Sequence, residues 1–447
     1  MKKIVLSLAG LLATAAFAPE ASAIPAFARQ TGMACKACHF QHFPLLNSFG
    51  RAFKASGFTM IGAQGKVEDE HLSIPNVLNI SALATAGYDT VSKRGTAAGI
   101  SDSNFLTPNG GGELSLFFGG HITENIGFLS ELAFPDNAVG TTAAKLPMLW
   151  DVGNNTRVGL VVVANNAPAY SFELLNTGAA STHRLMGNVG TKAAVGAGGN
   201  AMSQGGNHIS VTGAAPYLGT WDNGAGHGVS FVATGNMGFV NIGKYALGVN
   251  ALPGGKVGTS SSAMNATYAR GAYIFDAGGW DSAIGIQSFS GTDSNYNGVV
   301  AQQDAKATIV DGQMQGEAGG MPLGIIASYG TAPTSTKGNL YNPYAAVVGA
   351  TSKHSFNIAG ELGVIPHKAT VQLAVRSAKD GSGSSNAAVG LGDSDNAVML
   401  GGTYELAQNV ELSLTLTSNS GSAWSNTTAG ATPIGKTQST LLLEALF

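Results

Sequence analysis

The chain has 447 residues, a formal charge of −3, 63 glycines and only 11% charged residues, against roughly 25% in ordinary soluble domains. The near-neutral balance excludes the basic footprint of a nucleic-acid binder. Two cysteines exclude a disulfide framework, and the lack of an apolar run of about 18 residues beyond the leader excludes a helical membrane span.

The predicted elements begin with a secretory signal over residues 1–23. Lys2 and Lys3 form its positive end, Ile4 to Ala18 its apolar stretch, and Ala21-Ser22-Ala23 a small-x-small cleavage pattern. The mature chain then starts at Ile24 and is exported.

Residues 24–75 form the next unit. Cys35-Lys36-Ala37-Cys38-His39 has the spacing of a c-type haem attachment, in which two thiols bond the vinyl groups and the adjoining imidazole is the proximal iron ligand. A thioredoxin-like redox pair needs a βαβ context that is missing, and zinc needs more partners than His42 and His71. The spacing predicts a helix with Pro44 in its first turn and a stop at Gly57, carrying the apolar stripe Leu45, Leu46, Phe49, Ala52 and Phe53. So small a unit buries little besides haem. Arg51 and Lys54 share the end of that helix, placed either to meet haem propionates or to complement the helix dipole. For the distal position Met60, His71 and an open site all stand. His42 lies one turn from His39, on the same haem face. The remaining histidines, His121, His183, His208, His227, His354 and His367, read as solvated polar residues.

Residues 76–447 change to a period of two. Val410, Leu412, Leu414 and Leu416 alternate with Glu411, Ser413, Thr415 and Thr417, which puts them on opposite faces of a strand. Val371, Leu373 and Val375 alternate likewise with Thr370, Gln372 and Arg376. Sixteen segments read this way: 76–90, 111–120, 126–134, 144–152, 156–166, 226–234, 238–247, 265–275, 280–290, 306–315, 321–331, 355–364, 369–378, 396–406, 410–420 and 437–447. Residues 167–225 have room for a further hairpin. Short connections, such as 121–125, 153–155 and 407–409, alternate with long ones, such as 91–110, 167–225 and 421–436. That is the pattern of periplasmic turns and extracellular loops, so the expected fold is all-β: an antiparallel outer-membrane barrel of sixteen strands. An even strand count keeps both ends periplasmic. The motif-like run Gly196-Ala197-Gly198-Gly199-Asn200-Ala201 falls in a loop and is no dinucleotide site. The closing QSTLLLEALF, with Phe447 last, resembles the terminal strand signal of outer-membrane barrels.

The stretch IPAFARQTGMACKACHFQHFPLLNSFGRAFKASGFTM resembles the N-terminal cytochrome of the fused cytochrome–porin iron oxidases. The match lies in Ile24 to Arg29, the CxxCH, Pro44 to Gly50 and Phe53-Lys54. The resemblance implies one covalent haem c and a porin-like barrel in the outer membrane of a Gram-negative bacterium. It further implies oxidation of extracellular Fe(II), with electrons passed to a periplasmic acceptor, a soluble c-type cytochrome. The alternative is an electron conduit serving a mineral, an electrode or a partner cytochrome; a plain porin sits badly with the CxxCH. Strand phase sends Glu113, Glu131, Glu361, Glu405, Glu411 and Glu444 to the lumen, while residues 24–60 carry Arg29, Lys36, Arg51 and Lys54 and no acid. These glutamates are expected to hold the basic segment as a plug. Asp102, Asp293 and Asp393 are loop carboxylates suited to external iron.

Overall fold

The structure, a computed structural model, describes residues 25–62, 64–92, 103–108, 111–134, 143–166, 172–177, 226–245, 251–252, 256–257, 264, 266–293, 302–304, 306–333, 340–341, 353–379, 394–421 and 436–447. The expected signal, the run at 196–201, Asp102 and Asp393 lie outside the described residues.

Among the described residues three short helices come first: α1 (Pro25–Thr31), α2 (Cys35–Cys38) and α3 (Ser48–Ala55). A small hairpin follows, of β1 (Lys66–Glu68) and β2 (Ser73–Pro75). The barrel staves are β3 (Ile80–Val91), β4 (Leu114–His121), β5 (Gly127–Ala133), β6 (Ala143–Asp151), β7 (Arg157–Asn166), β8 (Gly226–Gly235), β9 (Gly238–Tyr245) and β10 (Ala266–Asp276). They continue as β11 (Asp281–Asp293), β12 (Ala307–Ala318), β13 (Met321–Ala332), β14 (Lys353–Ile365), β15 (Ala369–Lys379), β16 (Ser394–Ala407), β17 (Val410–Ser420) and β18 (Thr437–Leu446). Each pairs antiparallel with its neighbour in sequence, and β18 closes on β3 with Glu444 opposite Thr85. The expected sixteen-strand closed barrel is what the chain forms. Short extra ladders, such as Ser103–Pro108 on β3, extend the wall on the long-loop side.

Alternation decides which face is which. On β11 and β15, Ile284, Ile286 and Leu373 are exposed while Gln287, Gln372 and Arg376 are buried. On β9, β12 and β17, Ile242, Val310 and Leu416 face out, with Asn241, Asp311 and Asn419 inside. The wall is therefore apolar outside and polar inside, the reverse of a water-soluble β core. An apolar exterior with no free sheet edge meets the demand of hydrocarbon, which offers backbone groups no partner.

The lumen is filled from two directions. The segment 25–62 packs inside the end that carries the short turns: Arg29 donates to the Ile80 carbonyl, His121 Nδ1 lies 3.2 Å from the Thr59 carbonyl, and Gln41 donates to the Pro322 carbonyl at 2.9 Å. His121 is thus half-buried against the segment, not a freely solvated side chain. From the connection after β7, residues 172–177 turn inward, all of them buried. Phe172, Leu174 and Leu175 join Leu149, Val161, Val232 and Phe239 in an apolar cluster. The rest of 167–225, where a further hairpin has room, lies outside the described residues.

Two local expectations are corrected. The helix starts after Pro44, not with it: Asn47 Oδ1 caps α3 by accepting from the Gly50 amide at 2.9 Å. Pro44 sits instead in a loop closed by a bridge between His39 and Leu46 and by Phe40 N–H to the Leu45 carbonyl at 2.8 Å. The stripe also divides: Leu45 and Phe53 are buried, but Phe49 and Ala52 are exposed, because the face of α3 that packs on the wall carries Arg51 as well. Gly57, at φ +74°, ends the helix region as expected.

Candidate haem segment and its seat in the barrel

Cys35 and Cys38 lie one turn apart on α2, both half-buried and neither in a disulfide. Gly50 of α3 presses against this turn so closely that a Cβ there would lie 2.0 Å from the Cys38 carbonyl oxygen. His39 follows and is buried. Its Nδ1 lies 3.1 Å from the Leu45 carbonyl, the orientation that leaves the Nε2 lone pair as the ring's ligating atom. Burial pushes the His39 imidazolium down to about 4, opposed in part by that carbonyl, so the ring is neutral, the form that binds iron. Burial likewise raises the Cys38 thiol. Met33, Phe49, Ala52, Met60 and Ile61 leave apolar surface exposed on the segment. Two cysteines one turn apart, a neutral backbone-fixed imidazole and uncovered apolar side chains are a set that fits a covalent haem.

The other expected site residues fall as follows. Met60 has a partly exposed side chain, and Gln30 Nε2 donates to its carbonyl at 2.8 Å, which ties the Met60 backbone to the end of α1. His71 lies at the tip of the β1–β2 hairpin, its amide bonded to Asp69 at 2.7 Å; that hairpin has no counterpart in the sequence reading. Arg51 is buried, with Nη2 donating to Asp281 at 2.5 Å. Lys54 is pushed down by burial, offset in part by Glu173. Lys36 and Lys368, with Phe43, Glu405 and Glu411, line a cavity of about 440 Å³ that opens beside Cys35. Asp293 ends β11, in register with Gln303.

The side chains that lock the segment are only partly the expected ones. His42 Nε2 meets Glu361 at 2.7 Å, and its Nδ1 lies 3.6 Å from Glu411. Burial alone lowers a histidine, but the two carboxylates outweigh it and raise His42 to about 10. Glu361 and Glu411 were expected to face the lumen; His42 as their cation, and Asp281 as the partner of Arg51, were not. Nothing local marks either pairing, since 319 positions separate His42 from Glu361 and 230 separate Arg51 from Asp281. A second buried group holds the inner loop: Arg270 reaches Glu173 at 2.9 Å and Asp311 at 2.5 Å.

No family model and no curated protein matches the chain. Among solved structures it is similar to OmpT, an outer-membrane protein of Vibrio cholerae, at 10% identity and TM-score 0.45, over 86% of this chain and 100% of that one. It is similar to an anion-selective porin from Comamonas acidovorans at 16% identity and TM-score 0.43, over 83% and 99%. A mutant of the Rh. blastica porin gives 12%, 0.44, 83% and 100%. The barrel assignment itself rests on the closed hydrogen-bond ladder of this chain.

Proposed function

We propose that this chain is an outer-membrane electron-transfer protein. In this reading a single haem c, held by Cys35, Cys38 and His39, sits in a segment that plugs the barrel from the periplasmic side. The apolar exterior of the closed wall supports the membrane location, against outer-membrane lipid. The observation that carries the electron-transfer reading is His39: buried, and turned by the Leu45 carbonyl so that Nε2 is its ligating atom, next to two cysteines outside any disulfide.

When bound, the haem supplies a one-electron couple. The chain's residues do the rest. Cys35 and Cys38 would fix the porphyrin, His39 would ligate its iron, and Met60 or His71 would supply a distal ligand or leave that position open. His42 and Arg51 hold the segment against the wall through Glu361, Glu411 and Asp281. The proposed donor is extracellular Fe(II), which the resemblance of residues 24–60 to fused iron-oxidising cytochromes favours; the proposed acceptor is a soluble c-type cytochrome in the periplasm. The second reading keeps the haem and changes the donor to a mineral, an electrode or a partner cytochrome. The filled lumen is compatible with either donor.

The test uses oxidised holoprotein in detergent near neutral pH. Reduced haem absorption bands on adding Fe(II) support the first reading. Reduction by dithionite but not by Fe(II) leaves the second. A purified chain with no covalent haem refutes both.

A further inference from the structure

We propose that Asn176, which reaches into the lumen from the connection after β7, is a positioning residue for the His39 imidazole; this rests on the haem reading above. Residues Cys38 to Phe40 and Leu45 to Asn47 run side by side as a miniature ladder. Its rungs are Asn47 N–H to the Cys38 carbonyl at 3.0 Å, Phe40 N–H to the Leu45 carbonyl at 2.8 Å, and His39 Nδ1 to that same carbonyl at 3.1 Å. The far side of the ladder would be open at Leu46. Asn176 closes it: Oδ1 accepts from the Leu46 amide at 2.8 Å and Nδ2 donates to the Leu46 carbonyl at 2.9 Å. One carboxamide therefore takes the place of a third strand, satisfying a donor and an acceptor at once.

Asn176 is itself fixed. Only 2% of it is exposed, and its amide donates to Gln313 Oε1 at 2.6 Å. Thr177 donates to Asp311 at 2.6 Å, and Asp311 is gripped by Arg270 together with Glu173. Gln315 adds a second donor to the Leu46 carbonyl at 3.0 Å. The rigid wall thus sets the place of Leu46, Leu46 adjoins Leu45, and the Leu45 carbonyl sets the orientation and basicity of His39. Outer hydrogen bonds of this kind tune a metal-bound imidazole. Loosening the clasp weakens the Nδ1–H bond and makes the imidazole a poorer electron donor, which disfavours the oxidised iron.

The experiment compares wild-type holoprotein with Asn176→Ala, Gln315→Ala and Asn241→Ala by spectroelectrochemistry and by hydrogen exchange of the Leu46 amide. Asn241 touches the same inner loop, at the Phe172 carbonyl, but not Leu46, so it reports loosening of the loop alone. Asn176→Ala is expected to raise the reduced-to-oxidised ratio about tenfold at fixed potential, 59 mV for a one-electron couple. It is also expected to speed Leu46 exchange at least tenfold. Gln315→Ala moves the potential the same way by less, and decides the matter if Asn176→Ala does not fold; Asn241→Ala leaves the potential in place. A haem-bearing wild type whose potential is unmoved by the Asn176 and Gln315 variants, or moved equally by Asn241→Ala, overturns the inference alone. A wild type without covalent haem overturns the haem reading and this inference together.

Discussion

Replacing His42 by glutamine should release the plug in a pH-dependent way. The imidazolium sits between Glu361 at 2.7 Å and Glu411 at 3.6 Å. Its rise from 6.5 to about 10 corresponds to roughly 4–5 kcal/mol of preference for the charged, docked form. Glu411 keeps 25% of its side chain exposed, so about 3 kcal/mol is the working figure, at the low end for breaking a buried pair. A raised histidine contributes fully below 6.5 and loses its contribution as pH climbs toward 10. Protease cleavage within 25–62 in detergent-held protein is the assay. The ratio of His42→Gln to wild-type opening should be about 100 at pH 6 and fall toward 1 near pH 10. Equal protection of the two proteins at pH 6, or a ratio that grows with pH, would refute the reasoning.

Two shorter predictions follow from geometry. Gly50→Ala puts a methyl group 2.0 Å from the Cys38 carbonyl, so α3 must back away from α2; the haem content per chain, read by pyridine haemochrome, should fall severalfold. Leu373→Arg places a charge on the outer face of β15, where Leu373 is 54% exposed. In a bilayer this costs roughly 2–4 kcal/mol near the midplane, measurable by urea-dependent folding into vesicles, whereas a water-exposed site would show almost no change.

The barrel was legible because its code is local. Alternation along β15 or β17 needs only the next residue but one, and the apolar face must be the lipid face once no edge is left free. Strand ends agreed with the sequence reading within a few residues for the same reason. The seat of the segment was not legible, because its partners are brought together by register across the whole circumference. The charge excess of residues 24–60 pointed toward an acidic lumen, and His42 with Glu361 and Glu411 has that sense, yet Arg51 is met by Asp281, a residue at the very start of β11. Asn176 gave no signal at all. A single asparagine in a long Gly- and Asn-rich connection reads as loop, and its value lies in matching one peptide unit of a distant strand.

The join between β3 and β18 sets an order of events during biogenesis. The sheet cannot become a cylinder until β18 has been made, so the flank of β3 that β18 covers has no barrel partner before then. Both carboxylates that grip His42 lie on late staves, β14 and β17. The N-terminal segment, synthesised first, is therefore among the last parts to be secured, since its His42 anchor has no carboxylate to meet until those staves exist.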